Sequence, residues 1–250
     1  MKMKRKTDVK TKPKRIRPAR HSAWRLAHPV GNWCVKLYTK RIPALKFGKI
    51  DVPKAVDNRA YCTAVEDQGA NPWCAAYTAA AFAENVLWRR TGRIRQVEVE
   101  PIYAWAKKHD RIDGDGTTLE CALKGLLETT KDAFDAKTCK VRSVGGGVFG
   151  GGETEVRAAV HRFGCVLAGF EITDEWYDIR GGKYTITGRR GQSLGGHAVL
   201  IVGYDDRGVW IENSWGTDWG DGGFALVRWE AFRKQFFAGA VLTNCLDGFR

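Results

Sequence analysis

The chain reads as an α+β protein of two packed halves, with helices first and strands afterwards. Three observations predict this. An Ala-rich stretch from Trp73 to Arg90 has neither Gly nor Pro and stops at Thr91-Gly92. Three more helical patterns follow, near 101–109, 118–129 and 153–162. Beyond them the pattern becomes short apolar or alternating runs split by Gly and Asp turns. "CVLAGFEI", "AVLIVGYD", "GVWIENSW" and "GFALVRW" read as strands joined by hairpins.

Taken in order, residues 1–20 form a basic arm with ten Lys or Arg against one Asp, a charge of +9 out of the chain's +13. A solvated tail is the plain expectation. A tether for nucleic acid or another acidic partner, or a localisation signal, is the sharper one, and composition leaves these open. Residues 21–50 carry Trp24, Trp33 and Pro43 without a sustained period and read as a loosely packed leader or short pro-like extension. A single folded domain is expected over 51–250. Within it, Asn71-Pro72 is a helix start: Asn caps free N–H groups and Pro suits the first helical position. Small side chains in the first half of the Trp73–Arg90 run let other elements approach closely, so this helix is expected at the centre. Pro101 starts the second helix, and the turn "DGDG" precedes the third.

Composition bounds the function classes. A hydrophobic content of 44% and an aromatic content of 11% support a packed globule. No apolar run approaches the ~20 residues of a membrane-spanning helix, so no membrane partner is expected. No apolar segment follows the charged N-terminus, so no secretory signal is expected. The seven cysteines are odd in number, and neither a CxxC pair nor zinc-ribbon spacing occurs. Mostly reduced thiols, an intracellular or cytoplasmic setting, and no metal or cofactor are the expectations.

Three residues then carry chemistry. With Asn71 as cap, Cys74 falls at the third helical position, near the positive end of the helix dipole, where a thiolate is favoured. Taken alone, it is equally a small buried hydrophobe. His197 in "SLGGHAVLIVGYDD" is presented by a glycine pair at the head of an apolar strand, whereas His21, His28, His109 and His161 have no such setting. Asn213 lies in "WIENSWGTDWGDGGF". A strand from His197, a turn at 205–208 and a return strand bring it back beside the imidazole. Its amide is expected to accept the Nδ1 proton and fix the tautomer, with Trp215 shielding that bond. Together they make nucleophile, base and base-orienter for thiol acyl transfer.

At these residues the sequence resembles the papain family of cysteine peptidases. "VPKAVDNRAYCTAVEDQG" is similar to the family's mature N-terminal segment, and "GGHAVLIVGYDD" and "ENSWGTDWGDGGF" resemble its histidine and asparagine motifs. "EVRAAVHRFGCVLAGFEI" is similar to the helix and strand leading to the histidine. His197 and Asn213 lie 123 and 139 residues beyond Cys74, against ~130–150 for papain-type enzymes. The resemblance spans about 51–250. It implies a helical lobe built on the Cys74 helix, an antiparallel β-barrel-like lobe carrying His197 and Asn213, and a cleft for an extended polypeptide. It further implies that Gln68 and the backbone N–H of Cys74 form the oxyanion hole. Departures from the family pattern are equally visible. The usual Cys-Gly-Ser-Cys-Trp is here Asn71-Pro72-Trp73-Cys74-Ala75, so one family disulfide cannot form. No clear glycine pair shapes the non-primed wall, where Thr117, Thr118 and Leu119 are the candidates, with Gly196 and Ala198 opposite. About 50 residues precede the domain, short for an inhibitory prosegment.

Three rival readings stand beside a peptidase. "GGGVFG", 145–150, matches a dinucleotide fingerprint literally, but only one such unit occurs and strands do not alternate with helices. A non-catalytic papain-like binding protein is the second. A same-fold acyl transferase or cell-wall peptide hydrolase is the third, since it would use the same chemistry.

Overall fold

The structure, a computed structural model, describes residues 43–48, 51–134, 137–145, 152–189 and 191–245. The arm at 1–20, most of the leader and residues 146–150 of the glycine run lie outside the described residues.

The helical half consists of α1 (Cys74–Thr91), α2 (Val99–His109) and α3 (Leu119–Thr129). Helix α1 is central, as its composition predicts. Cys74, Ala75, Ala76, Ala79, Ala80, Phe82 and Ala83 are all buried, because methyl-sized side chains let neighbours pack closely on several faces. It ends at Gly92, whose φ of +66° is the left-handed geometry that glycine adopts without a Cβ clash, and the Gly92 N–H donates to Trp88 O. Its start departs from expectation. Asn71 does not cap it; Trp73 holds the cap position without a side-chain hydrogen bond, and Cys74 is the first helical residue rather than the third. The reason is a tight turn in which Asn71 N donates to Gln68 O at 3.1 Å, with Gly69 at φ +54°, so Asn71 is held outside the helix.

The second half is an eight-stranded sheet. Its strands are β1 (Val56–Asp57), β2 (Lys140–Val144), β3 (Val166–Thr173), β4 (Thr185–Ile186), β5 (Ser193–Tyr204), β6 (Gly208–Glu212), β7 (Phe224–Arg228) and β8 (Phe236–Thr243). Three helices accompany them: α4 (Glu153–Phe163), α5 (Asp174–Tyr177) and α6 (Trp229–Gln235). The order is β2-β8-β3-β5-β6-β7-β4, with β1 on β5. All pairs are antiparallel except β4–β7. Helix α6 and strand β8 lie beyond the last run legible in the sequence. The helix is too short to show a period, and "FFAGAVLT" is apolar throughout because both of its faces are covered.

Strand parity builds two cores. Ala198, Leu200 and Val202 of β5, with Trp210 of β6 and Leu226 of β7, face α1 and α3. Val199 and Ile201, with Val209, Ile211, Ala225 and Val227, face the opposite core with Trp176, Trp215 and Trp219. The sheet is thus one wall of both halves.

The packed structure begins before residue 51. Leu45 N donates to Ser143 O at 2.9 Å and Ser143 N to Pro43 O at 3.1 Å, so the leader pairs with the edge of β2. Leu45 and Phe47 pack against the second core. Cys139 and Cys245 form a disulfide that ties the start of β2 to the end of β8; among the described residues, Cys62, Cys74, Cys121 and Cys165 form no disulfide. Among the described residues, no helix is long and apolar enough to cross a membrane.

Candidate active site

Cys74 opens the helix that packs on β5, the strand that carries His197, and Asn213 follows directly on β6. Cys74 opens α1 and is fully buried in the first core. His197 lies on β5, on the face opposite Ala198 and Leu200, and is 1% exposed. The hairpin expected at 205–208 forms, with Asp205 N donating to Gly208 O at 2.9 Å. It brings β6 back along β5 with Leu200 opposite Glu212.

This register puts Asn213 Oδ1 2.7 Å from the imidazole. The ring nitrogen concerned is Nε2, not the Nδ1 expected from the sequence. The strand presents the ring with its far nitrogen toward β6, so Asn213 meets that end. Ser214 N also donates to Asn213 Oδ1, at 2.9 Å. A backbone N–H can only donate, so the shared atom is the amide oxygen and His197 Nε2 carries the proton. An aromatic wall shields the pair. Trp215 lies 4.6 Å from the His197 ring, Trp176 meets that ring edge-on at 6.4 Å, and Tyr177 stacks on Trp215 at 5.0 Å. Trp219 closes the wall and donates Nε1–H to Trp176 O at 2.8 Å.

Gln68 is buried beside this group and held at both ends. Its Oε1 accepts from Ser214 Oγ at 2.7 Å, and its Nε2 donates to Asn71 O at 2.7 Å. An amide nitrogen carries two hydrogens, so this bond uses one of them. The main chain around Gln68 is stitched to the Asn213 loop as well, through Gln68 N to Ser214 O at 2.9 Å and Gly216 N to Glu66 O at 3.0 Å. The lobe carrying Cys74 is therefore fixed to the segment carrying Asn213.

A sequence profile described as "Papain family cysteine protease" matches residues 52–235. The chain belongs to the papain family of cysteine proteases. Among curated papain-family relatives, a cathepsin B-like cysteine proteinase 3 of Caenorhabditis elegans is 38% identical over 79 residues, 30% of this chain and 21% of that protein. Cathepsin K of Gallus gallus is 29% identical over 196 residues, 70% of this chain and 58% of that one. The chain thus spans little more than half the length of these relatives, or less. Among solved structures, xylellain, a cysteine protease from Xylella fastidiosa, superposes with a TM-score of 0.67 at 17% identity, covering 87% of this chain and 97% of that one. This likeness concerns the papain fold, and the two-lobe α+β expectation is met.

The proposed substrate-wall residues fare differently within this papain fold. Thr118 and Leu119 are buried. Thr118 caps α3 by accepting from Cys121 N at 3.0 Å, and Leu119 is core. Thr117 is also fully buried. Ala198 faces α1 in the first core rather than a cleft. All four side chains are buried, although residues 113–115 of the glycine-rich turn before Thr117 are exposed. Gly196 is partly exposed, opposite Glu171 on β3. Sequence reasoning missed Ser214, Trp176 and a group of three carboxylates, Glu66, Glu84 and Glu212. A signal for the last existed: Glu84 interrupts an Ala-rich helix and Glu212 ends a strand buried throughout. Among the described residues, no group of His, Cys, Asp or Glu is arranged to hold a metal ion.

Proposed function

We propose that the protein hydrolyses peptide bonds through a thioester acyl-enzyme, with Cys74 as nucleophile, His197 as base and then acid, and Asn213 as orienter. The observation that carries this reading is the 2.7 Å bond from His197 Nε2 to Asn213 Oδ1 inside a tryptophan wall. With Nε2 occupied, Nδ1 is the nitrogen that exchanges the proton. Its proton comes from the Cys74 thiol, and the thiolate Sγ attacks the scissile carbonyl carbon. The carbonyl π pair moves to oxygen, held by the Cys74 N–H and Gln68 Nε2, a contribution of ~3 kcal/mol per donor. As the C–N bond breaks, Nδ1–H protonates the leaving amine. A water then gives a proton to Nδ1 and attacks the thioester, releasing the acid and restoring the thiol pair.

Because no side chain caps α1, its first turn presents N–H groups at this spot, which suits a developing oxyanion. The test is labelling by an epoxide that alkylates papain-type thiolates, on the wild type and on Cys74→Ala. A single adduct on Cys74, absent from the variant, is expected together with loss of peptide hydrolysis. A folded wild type that takes no adduct would overturn the reading.

For the basic arm we propose a salt-sensitive contact with nucleic acid or another acidic partner, supported only by its charge of +9. Removing residues 1–20 should abolish that binding and spare hydrolysis of a small peptide. A sharp gain in hydrolysis would show instead that the arm inhibits.

A further inference from the structure

A second polar site lies between the halves, one turn along α1 from Cys74. It is a cavity of about 20 Å³ between α1 and the β5–β6 face, and Glu66, Thr78, Glu84, Glu212 and Asn213 are among the residues that line it. That volume suits one water-sized occupant. Among the described residues, no Lys, Arg or His lines it. Glu212 ends β6 on the same face as Trp210, toward α1, and is only 6% exposed. Among the described residues its Oε2 has no hydrogen-bond partner, and neither has Asn213 Nδ2. An acceptor and a donor are thus both buried and unmatched at one cavity, and the donor belongs to the residue that orients His197.

Burial raises the pKa of Glu84 as well, but unlike its neighbours it has two hydrogen bonds that oppose the rise. Its Oε1 accepts from Val97 N at 2.8 Å and its Oε2 from the Thr63 hydroxyl, the surroundings of an ionised carboxylate. The groups facing Glu212 are Cys62, which hydrogen-bonds to it, together with Glu66, Glu84 and Cys165. Those facing Glu66 are Glu84, Glu98 and the Tyr77 hydroxyl. Three carboxylates around one small space cannot all be charged without strong repulsion.

We propose that Glu212 is a positioning residue for the peptidase reaction: held as the neutral acid beside a protonated Glu66 and an ionised Glu84, it keeps β6 against α1, and so Asn213 against His197, until rising pH removes these protons. The consequence for turnover rests on the peptidase reading; the latch itself does not. Burial first, with the charges of neighbouring carboxylates, lifts Glu66 from 4.5 to about 7. Burial likewise lifts Glu212 to about 7, opposed by the Cys62 hydrogen bond and reinforced by Glu84 and Glu66. Between pH 4.5 and about 7 the native state therefore keeps protons that the unfolded chain has released. The stabilisation is full below 4.5 and is lost as pH rises through about 7.

The test compares denaturant unfolding of Cys74→Ala with that of Cys74→Ala/Glu212→Gln across this window, where no activity is needed. The carboxamide matches the neutral acid in shape and cannot ionise. The two unfolding constants should diverge by up to about tenfold per pH unit, the linkage of one proton, with the Gln protein the more stable above pH 7. In the Cys74 background, kcat/KM of Glu212→Gln should persist to higher pH than in the wild type. Parallel unfolding curves would overturn the latch even if the enzyme is active. Diverging curves with coincident alkaline limbs of kcat/KM would keep the proton linkage but remove the positioning role. An inactive wild type with diverging curves would sink the peptidase reading and leave the latch standing.

Discussion

Asn213 Oδ1 accepts two hydrogen bonds at once, from His197 Nε2 at 2.7 Å and from Ser214 N at 2.9 Å. The backbone bond anchors the amide, and the anchored amide fixes the ring. Asn213→Ala should weaken the fold only moderately, by about 1–3 kcal/mol for the buried donors it orphans. The rate should fall much further, since an unoriented imidazole forfeits part of the 10²–10⁴-fold value of general acid–base catalysis. We expect kcat to drop roughly 10²-fold with KM little changed, measured on a fluorogenic peptide. A fall confined to KM would show that Asn213 contacts substrate instead.

Gln68 and Ser214 make a second linked pair. The Ser214 hydroxyl donates to Gln68 Oε1 at 2.7 Å, and Asn71 O holds Gln68 Nε2. Gln68→Ala should cost about 10²-fold in kcat if its amide stabilises the oxyanion. Ser214→Ala loosens the amide without deleting it, and should cost about 1 kcal/mol, roughly fivefold in rate. Equal losses in the two variants would place the effect in folding, which circular dichroism at matched temperature would reveal.

Glu175 fixes the chain that leads into β5. Its Oε1 accepts from Thr187 N at 2.8 Å and Thr187 Oγ1 at 2.6 Å, and its Oε2 from Gly188 N at 2.9 Å and Arg189 N at 3.1 Å. Replacing it with Ala orphans three backbone donors in a largely buried place. A loss of about 3 kcal/mol is expected from hydrogen bonds to a charged acceptor, read by urea unfolding. Glu175→Gln should recover only part of it, because a carboxamide has one oxygen where the carboxylate has two. Full recovery by Gln would mean that shape matters here and the charge does not.

Much of the fold was legible because its signals are local. Helices α1, α3 and α4 and strands β3, β5, β6 and β7 fall within a few residues of where apolar periodicity and Gly punctuation put them. Strand β8 and helix α6 were not legible, since an apolar run covered on both faces has no period and a helix of two turns shows too little of one. The burial of the wall candidates Thr118 and Leu119 was not legible, for another reason. Whether a Thr lines a cleft or caps a helix depends on which way the turn before it folds.

By itself, the sequence carried the helices-first, strands-later order and singled out Cys74, His197, Asn213 and Gln68 as candidates. Those follow from residue type, spacing and motif, which the chain carries locally. Only the tertiary structure decided which imidazole nitrogen meets Asn213, that Trp73 and not Asn71 holds the cap position of α1, and that the leader pairs with β2. It also decided that Glu66, Glu84 and Glu212, far apart in the chain, surround one cavity. The physical reason is that orientation and burial are properties of the partners a side chain meets. Those partners come from other elements, and the cost of burying a charge arises only once the elements have packed.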